Sequence, residues 1–167
     1  MTNAHDLRTL YNYNDWANEK LLAVVSELTP EEFTQSVSGS YGSVRNTLVH
    51  ILSAEWGWLD RCGGTPRGPA LQAADYPTIA SLLARQKEVE SHIKAFLTNL
   101  TDEALLRPIA FTLANGPTQT MRLGELLHHA AIHAVHHRGQ VALLLRALGK
   151  TPGNFDILFY YASHQVE

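Results

Sequence analysis

The sequence predicts an all-α fold: a four-helix bundle with short accessory helices and a small β-hairpin before the last main helix. Four stretches repeat their apolar residues with the spacing of a helix that lays one stripe against its neighbours. Most of these stretches meet a cap residue, a Gly or a Pro where a helix has to start or stop. The 167 residues contain no internal repeat, low-complexity tract or linker, so residues 1–167 read as a single domain.

Residues 4–28 form the first expected helix. Leu7, Leu10, Asn14, Ala17, Leu21, Val24 and Leu28 recur at alternating steps of three and four, with Asn14 as the polar interruption. Thr2 or Asn3 can cap it. Thr29-Pro30-Glu31-Glu32 combines a cap, a Pro at the first helical position and acids in the first turn, which predicts a short helix. A Gly/Ser-rich loop runs to Ser43, which caps a second main helix extending to about Arg61 and including His50. Residues 62–77 are rich in Gly and Pro and form a long connection. Helix three covers about 78–100, with Leu82, Gln86, Val89, Ile93, Phe96 and Leu100 as its seam. A short turn begins at Thr101. Residues 109–123 change to alternation around Asn115-Gly116, a hairpin that Pro117 demotes to an exposed or irregular one. Helix four runs over about 123–148, with Leu123, Leu126, Ala130, His133, His137, Gln140, Leu144 and Leu148 on its seam. Gly149 and Pro152 end it. Asn154 can cap a last short helix, F-D-I-L-F-Y-Y-A.

Composition removes several function classes. The formal charge is −3 and no basic block or stripe exists, which argues against nucleic acid as a partner. No apolar run approaches membrane-spanning length, so no membrane partner is expected. The one cysteine, Cys62, cannot form an internal disulfide. That fits a reducing compartment, and the chain reads as soluble and cytoplasmic.

The stretch Gly124–Gln140, G-E-L-L-H-H-A-A-I-H-A-V-H-H-R-G-Q, holds five of the nine histidines. His133 and His137 are four apart, which on a helix sets them about 40° apart around the axis and about 6 Å apart along it. Two neutral imidazoles so placed can share one Zn²⁺-like ion at about 2.0–2.1 Å. A single core histidine is ordinarily a satisfied structural residue. Two in succession on a seam are harder to satisfy, because each brings polar nitrogens that need partners when buried, and a shared metal meets that need at both. His136 and His128 point about 100° and 180° away from His137 and read as peripheral. His129, about 40° from His133, can flank the site. His5, His92 and His164 have no partner at ligand spacing. His50, inside N-T-L-V-H-I-L, proves nothing alone.

Other chemistries fail on the residues. A di-iron carboxylate bundle needs two Glu-x-x-His strings, and only Glu125-Leu126-Leu127-His128 is present, off the seam. No His-Glu-x-x-His, P-loop or dinucleotide-binding glycine pattern occurs. Cys62, in C-G-G-T, is a lone loop cysteine and more simply incidental than nucleophilic.

Four stretches carry a resemblance: Y11-N-Y-N-D-W-A-N18, T47-L-V-H-I-L-S-A-E-W-G-W-L59, H133-A-V-H-H-R-G-Q-V141 and D156-I-L-F-Y-Y161. Together, and in this order, the chain resembles the DinB-like family of bacterial four-helix-bundle metalloenzymes. The H-x-x-x-H-R-G-Q string with an upstream helical His is the more specific part. The resemblance implies a metal held by three histidines, one from the second helix and two from this string, which map onto His50, His133 and His137. It also implies a Zn²⁺, Ni²⁺ or Fe²⁺ ion and frequent homodimers, for which aromatics such as Trp16, Trp56 or Tyr160 offer a face. Related bundles include transferases and isomerases that use low-molecular-weight thiols.

Three His plus solvent is an open, catalytic-type arrangement, whereas structural zinc sites close with four protein ligands. With no charged ligand the ion keeps its full charge and can activate water or an incoming thiolate. The leading expectation is therefore a metal-dependent enzyme acting on a small molecule, by thiol transfer to an electrophile or by a related hydrolysis. No general base is evident: Ala54 lies one turn from His50, and Glu55 points elsewhere. The alternative is a non-catalytic, stress-associated metal-binding bundle. A solvent-reachable pocket at the open position, lined by Trp, Tyr and the 62–77 connection, favours the enzyme.

Overall fold

The computed structural model describes residues 3–112 and 116–164. Four long helices form the bundle: α1 (Ala4–Val25), α3 (Val44–Gly63), α4 (Ile79–Thr98) and α5 (Leu123–Ala147). Between them lie the short α2 (Pro30–Thr34), 3₁₀ turns at Ala73–Asp75 and Ala104–Leu106, and an antiparallel hairpin of β1 (Pro108–Thr112) and β2 (Thr118–Arg122). The short α6 (Ile157–Ser163) follows α5. Around the bundle α5 packs on α1 and α3, α3 on α4, and α4 on α1. Each long helix therefore has two neighbours, and α5 and α3 share the most extensive interface.

The helix boundaries have local causes. Asn3 caps α1 by accepting from the Asp6 N–H, Thr29 and Glu32 form a capping box on α2, and Ser43 caps α3 through the Asn46 N–H. α1 stops at Val25, three residues before the expected end. Pro30 holds Thr29 in an extended conformation, and Ser26 turns its hydroxyl back onto the Leu22 carbonyl at 2.8 Å. Gly149, at φ 76°, lets the Lys150 N–H reach back to the Leu145 carbonyl at 2.9 Å, closing the end of α5. The cap of α6 is Asp156 rather than Asn154. Asp156 accepts from Leu158, while Asn154 accepts from the Asp156 N–H. The hairpin forms where expected, with Pro108 opposite Arg122 and Thr112 opposite Thr118. Its first strand buries Ile109 and Phe111; its second is exposed throughout. The Asn115 half of the expected turn lies outside the described residues.

The expected seams of α4 and α5 are largely those observed, with Leu97 buried in place of Phe96. On α1 the buried row differs. Tyr11, Asn18 and Val25 are inside, while Leu10 and Val24 are only half-buried. Tyr11 donates to the Leu127 carbonyl at 3.0 Å, and Asn18 accepts from Arg138 at 3.1 Å. Their polar tips are satisfied inside, so the helix can rotate them inward. Tyr160, expected as an exposed aromatic, is buried, with its ring 5.9 Å from Tyr13 and 5.7 Å from Trp16. Trp16 and Trp56 are half-buried. Among the described residues no helix is long and apolar enough to cross a membrane.

Candidate metal centre

His133 and His137 leave α5 on the face that meets α3, and His50 leaves α3 opposite them. The capped start of α3 fixes the phase of that helix, and the α3–α5 interface fixes the distance. His50 Nε2 lies 3.2 Å from His133 Nε2, which lies 3.1 Å from His137 Nε2. One ring nitrogen from each of the three falls within 4.8 Å of the others. Imidazole nitrogens bound at about 2.0–2.1 Å in a tetrahedral shell stand roughly 3.3 Å apart. The cluster already has nearly that spacing.

The protons show why these three nitrogens fit a cation. Gln140 Oε1 can only accept, and it lies 2.6 Å from His137 Nδ1. A proton on His137 Nδ1 donates to it, which leaves Nε2 to face the centre. His133 Nε2 sits between the Nε2 atoms of His50 and His137 and can donate to only one. His133 Nδ1 is buried and has no partner among the described residues, so no hydrogen bond at Nδ1 fixes that ring's tautomer. Burial, followed by the charge of its neighbours, pushes His50 and His133 down to about 4. For His50 the neighbouring charges are His137 and Arg67; for His133 they are His137, His50, His129 and His136. Both rings are thus neutral at pH 7, the state in which imidazole binds a metal. The donor set suits one divalent ion such as Zn²⁺, Ni²⁺ or Fe²⁺ and does not select among them.

Around the three histidines stand Tyr41, which sequence spacing did not single out, and Gln140 and His129, which it did. Tyr41 stacks on His50 with ring centroids 4.0 Å apart, and its hydroxyl is 3.0 Å from His50 Nε2. Gln140 also accepts from Ser40 Oγ at 2.8 Å and places its Nε2 3.3 Å from His136. The only sequence signal for Tyr41 is a tyrosine within S-G-S-Y-G-S, just ahead of the helix that carries His50. His129 flanks the site, its ring 5.9 Å from His133 and 5.1 Å from Trp58. Arg67, from the 62–77 connection, lies across Gly57; a Cβ there would fall 2.7 Å from Arg67 Nε. His128 lines a separate cleft with Asn3, Asp102 and Arg122. His92 rests against Trp56 and His164 against Tyr160, at 5.1 and 4.3 Å between rings. Cys62 is buried in the last turn of α3, and burial pushes its thiol up to about 12, which disfavours the thiolate.

Comparison with known proteins places the chain in a family. The model of the DinB family matches residues 1–167. The chain belongs to the DinB family. Protein DinB of Bacillus subtilis strain 168 is 26% identical over 167 residues, covering 95% of each chain. The uncharacterized protein YrdA of the same organism is 31% identical over 142 residues, covering 82% of this chain and 78% of that protein. A crystal structure of a DinB-like protein from Bacillus cereus ATCC 10987 superposes with a TM-score of 0.72 at 22% identity, covering 91% of this chain and 97% of that one. At that identity the likeness establishes the fold. For this DinB-family chain, the bundle and hairpin expected from the sequence are present. The three histidines, one from α3 and two from α5, lie together.

Proposed function

We propose that this DinB-family protein is a metal-dependent enzyme whose divalent ion is held by His50, His133 and His137. One observation carries the reading: a ring nitrogen from each of three imidazoles lies within 4.8 Å of the others at the α3–α5 interface, and among the described residues no carboxylate joins the group. When bound there, a divalent ion supplies Lewis acidity, lowering the pKa of water or of an incoming thiol so that a nucleophile exists at neutral pH. The reaction class proposed is transfer of a low-molecular-weight thiol to a small electrophile, or a related hydrolysis.

The chain's own contributions are positional. Gln140 holds His137 in the tautomer that presents Nε2 to the ion. Burial keeps His50 and His133 unprotonated, so the site does not compete with protons at pH 7. His129 lies 5.9 Å from His133 with Trp58 behind it at 5.1 Å, and the charge of Arg67, from the 62–77 connection, reaches His50. They offer an aromatic face and a cation for a small polar substrate. Glu55 is no general base for this site. It is buried on another face of α3, beside Tyr11, Trp58 and Ala130.

A second reading is a non-catalytic, stress-associated metal-binding bundle. It is favoured by the placement of Tyr41, which covers the histidines from the solvent side. Elemental analysis of protein purified without a His tag, coupled to a screen of small thiols with electrophilic substrates, separates the two. Turnover that disappears with chelator and returns with one metal supports the enzyme; stoichiometric metal with no turnover supports the second reading. Full metal retention in both His133→Ala and His137→Ala would remove the three-histidine assignment from either. We further propose a homodimer. Ile132 and Leu143 on α5 and Leu158, Phe159 and Tyr161 on α6 are exposed and supply an apolar surface for it.

A further inference from the structure

We propose that the Tyr41 hydroxyl is the fourth donor of this centre, so that the resting site is closed by a tyrosine on a movable loop rather than left open to solvent. The inference rests on the three-histidine reading above and adds the residue that governs access to it.

Three observations place Tyr41 there. Its hydroxyl lies 3.0 Å from His50 Nε2, close to the 3.1 and 3.2 Å that separate the imidazole nitrogens from one another. Its oxygen thus stands at donor spacing from His50, one of the three ligands. Its ring stacks on His50 at an interplanar angle of 20° and lies 5.7 Å from His137. The residue is 45% exposed, yet its polar end is turned inward. An exposed tyrosine ordinarily keeps its hydroxyl in water.

The loop is shaped to hold this pose. Gly39, Ser40 and Gly42 adopt φ values of 100°, 49° and 83°. Glycine tolerates this region; a serine there costs on the order of 1 kcal/mol. The surrounding contacts offset that cost. Ser40 Oγ donates to Gln140 Oε1 at 2.8 Å, the atom that also accepts from His137 Nδ1. The Asn46 amide donates to the Tyr41 carbonyl at 3.1 Å. Gln140 therefore ties one ligand histidine and the Tyr41 loop to the same oxygen. Gly39 and Gly42 bracket the segment that has to swing for a substrate to reach the ion.

The test loads the metal-free protein with Cu²⁺, the divalent ion that imidazole sites hold most tightly. A tyrosine oxygen bonded to Cu²⁺ produces a visible charge-transfer absorption that imidazole and water ligands do not. The wild type is expected to show this band at one equivalent of copper. Tyr41→Phe is expected to bind one equivalent without it, and to release Zn²⁺ to a chelator at least tenfold faster. A wild-type protein that binds copper stoichiometrically without the band, or equal zinc release from the two proteins, overturns the proposal. The underlying three-histidine reading fails separately and visibly, if copper does not bind or if the triple alanine variant of His50, His133 and His137 binds it equally well.

Discussion

Two polar clusters lie side by side on α5, beginning one residue apart, and they meet the cost of burial in different ways. At His137 the groups facing one another are alike. Nε2 atoms of three histidines converge, with the Tyr41 hydroxyl 3.0 Å from the one on His50. At Arg138, which points toward α1 instead of α3, donors meet acceptors. Its guanidinium donates to Asn14 and Asn18, with the Asn18 contact at 3.1 Å, and lies 5.4 Å from the centre of the Tyr13 ring. Asn14 in turn donates to the Ala131 carbonyl at 3.3 Å. Arg138 is 1% exposed and Glu55 6%, and the charge of Arg138 pulls the Glu55 carboxyl down against the upward push of burial. Each cluster leaves one buried nitrogen without a partner among the described residues, Arg138 Nε in the second and His133 Nδ1 in the first. The second pairs donors with acceptors, whereas the first turns a nitrogen from each of three imidazoles toward one point, an arrangement that a cation can complete.

The largest expected effect comes from breaking the Arg138 cluster. Arg138→Met removes the donor to Asn14 and Asn18 and leaves Glu55 without its nearest cation. Losing one partner of a buried charged network costs about 3–5 kcal/mol. Urea unfolding of the metal-free protein should show a loss of that size. A change under 1 kcal/mol would show that the Asn–Arg contacts contribute little. His133→Ala should do the reverse. Stability of the metal-free protein should fall little, because His133 leaves one nitrogen unpartnered. Metal affinity should fall by more than the about 10–100-fold that loss of a supporting hydrogen bond costs. Isothermal titration with Zn²⁺ checks it, and an unchanged dissociation constant would remove His133 from the site.

The same contrast marks what could be read in the sequence. His133 and His137 were legible because four residues on one helix fix their relative direction without any tertiary information. His50 was not legible by spacing, since its partner is 83 residues away and only the α3–α5 packing brings them together; family resemblance supplied it. Tyr41 was illegible because its position depends on three left-handed loop residues, and local sequence does not encode where such a loop points. Arg138 was noticed as part of a motif, but a charged residue carries no sign that it will be buried. Its partners lie more than a hundred residues earlier. The bundle itself was legible throughout, since periodicity and caps are local. The larger shift is in α1, where Tyr11, Asn18 and Val25 are buried while Leu10 and Val24 are half-buried; Tyr11 and Asn18 found long-range polar partners there.

Glu55 gives the comparison a pH axis. Burial pushes its carboxyl up to about 7 from an ordinary value near 4.5. Between those values the folded state holds a proton that the unfolded state has released. Stability therefore falls as pH rises through this window and stays at the lower level above pH 7. Glu55→Gln removes the ionisation. It should raise stability at pH 8 by on the order of 2–3 kcal/mol relative to wild type, with little difference at pH 4. Chemical denaturation at the two pH values measures it. An equal effect at both would mean that Glu55 does not titrate in this window.

The smallest expected effect tests whether the two clusters are independent. Gln140 belongs only to the histidine side, where it accepts from His137 and from Ser40. Gln140→Ala leaves all three Nε2 donors in place but frees His137 to adopt either tautomer and releases the 39–42 loop. Zinc affinity should fall about 10–100-fold, the range for loss of a hydrogen bond that orients a ligand histidine. The unfolding free energy of the metal-free protein should change by less than about 1 kcal/mol, because Gln140 is half-buried and its amide can turn to water. Gln140→Glu sharpens the result. A carboxylate still accepts from His137 Nδ1 and should retain most of the affinity that alanine loses. If alanine and glutamate weaken zinc binding equally, orientation of His137 is not what Gln140 contributes. If either variant unfolds as readily as Arg138→Met, the two clusters are coupled through α5 and the division between binding site and structural core fails.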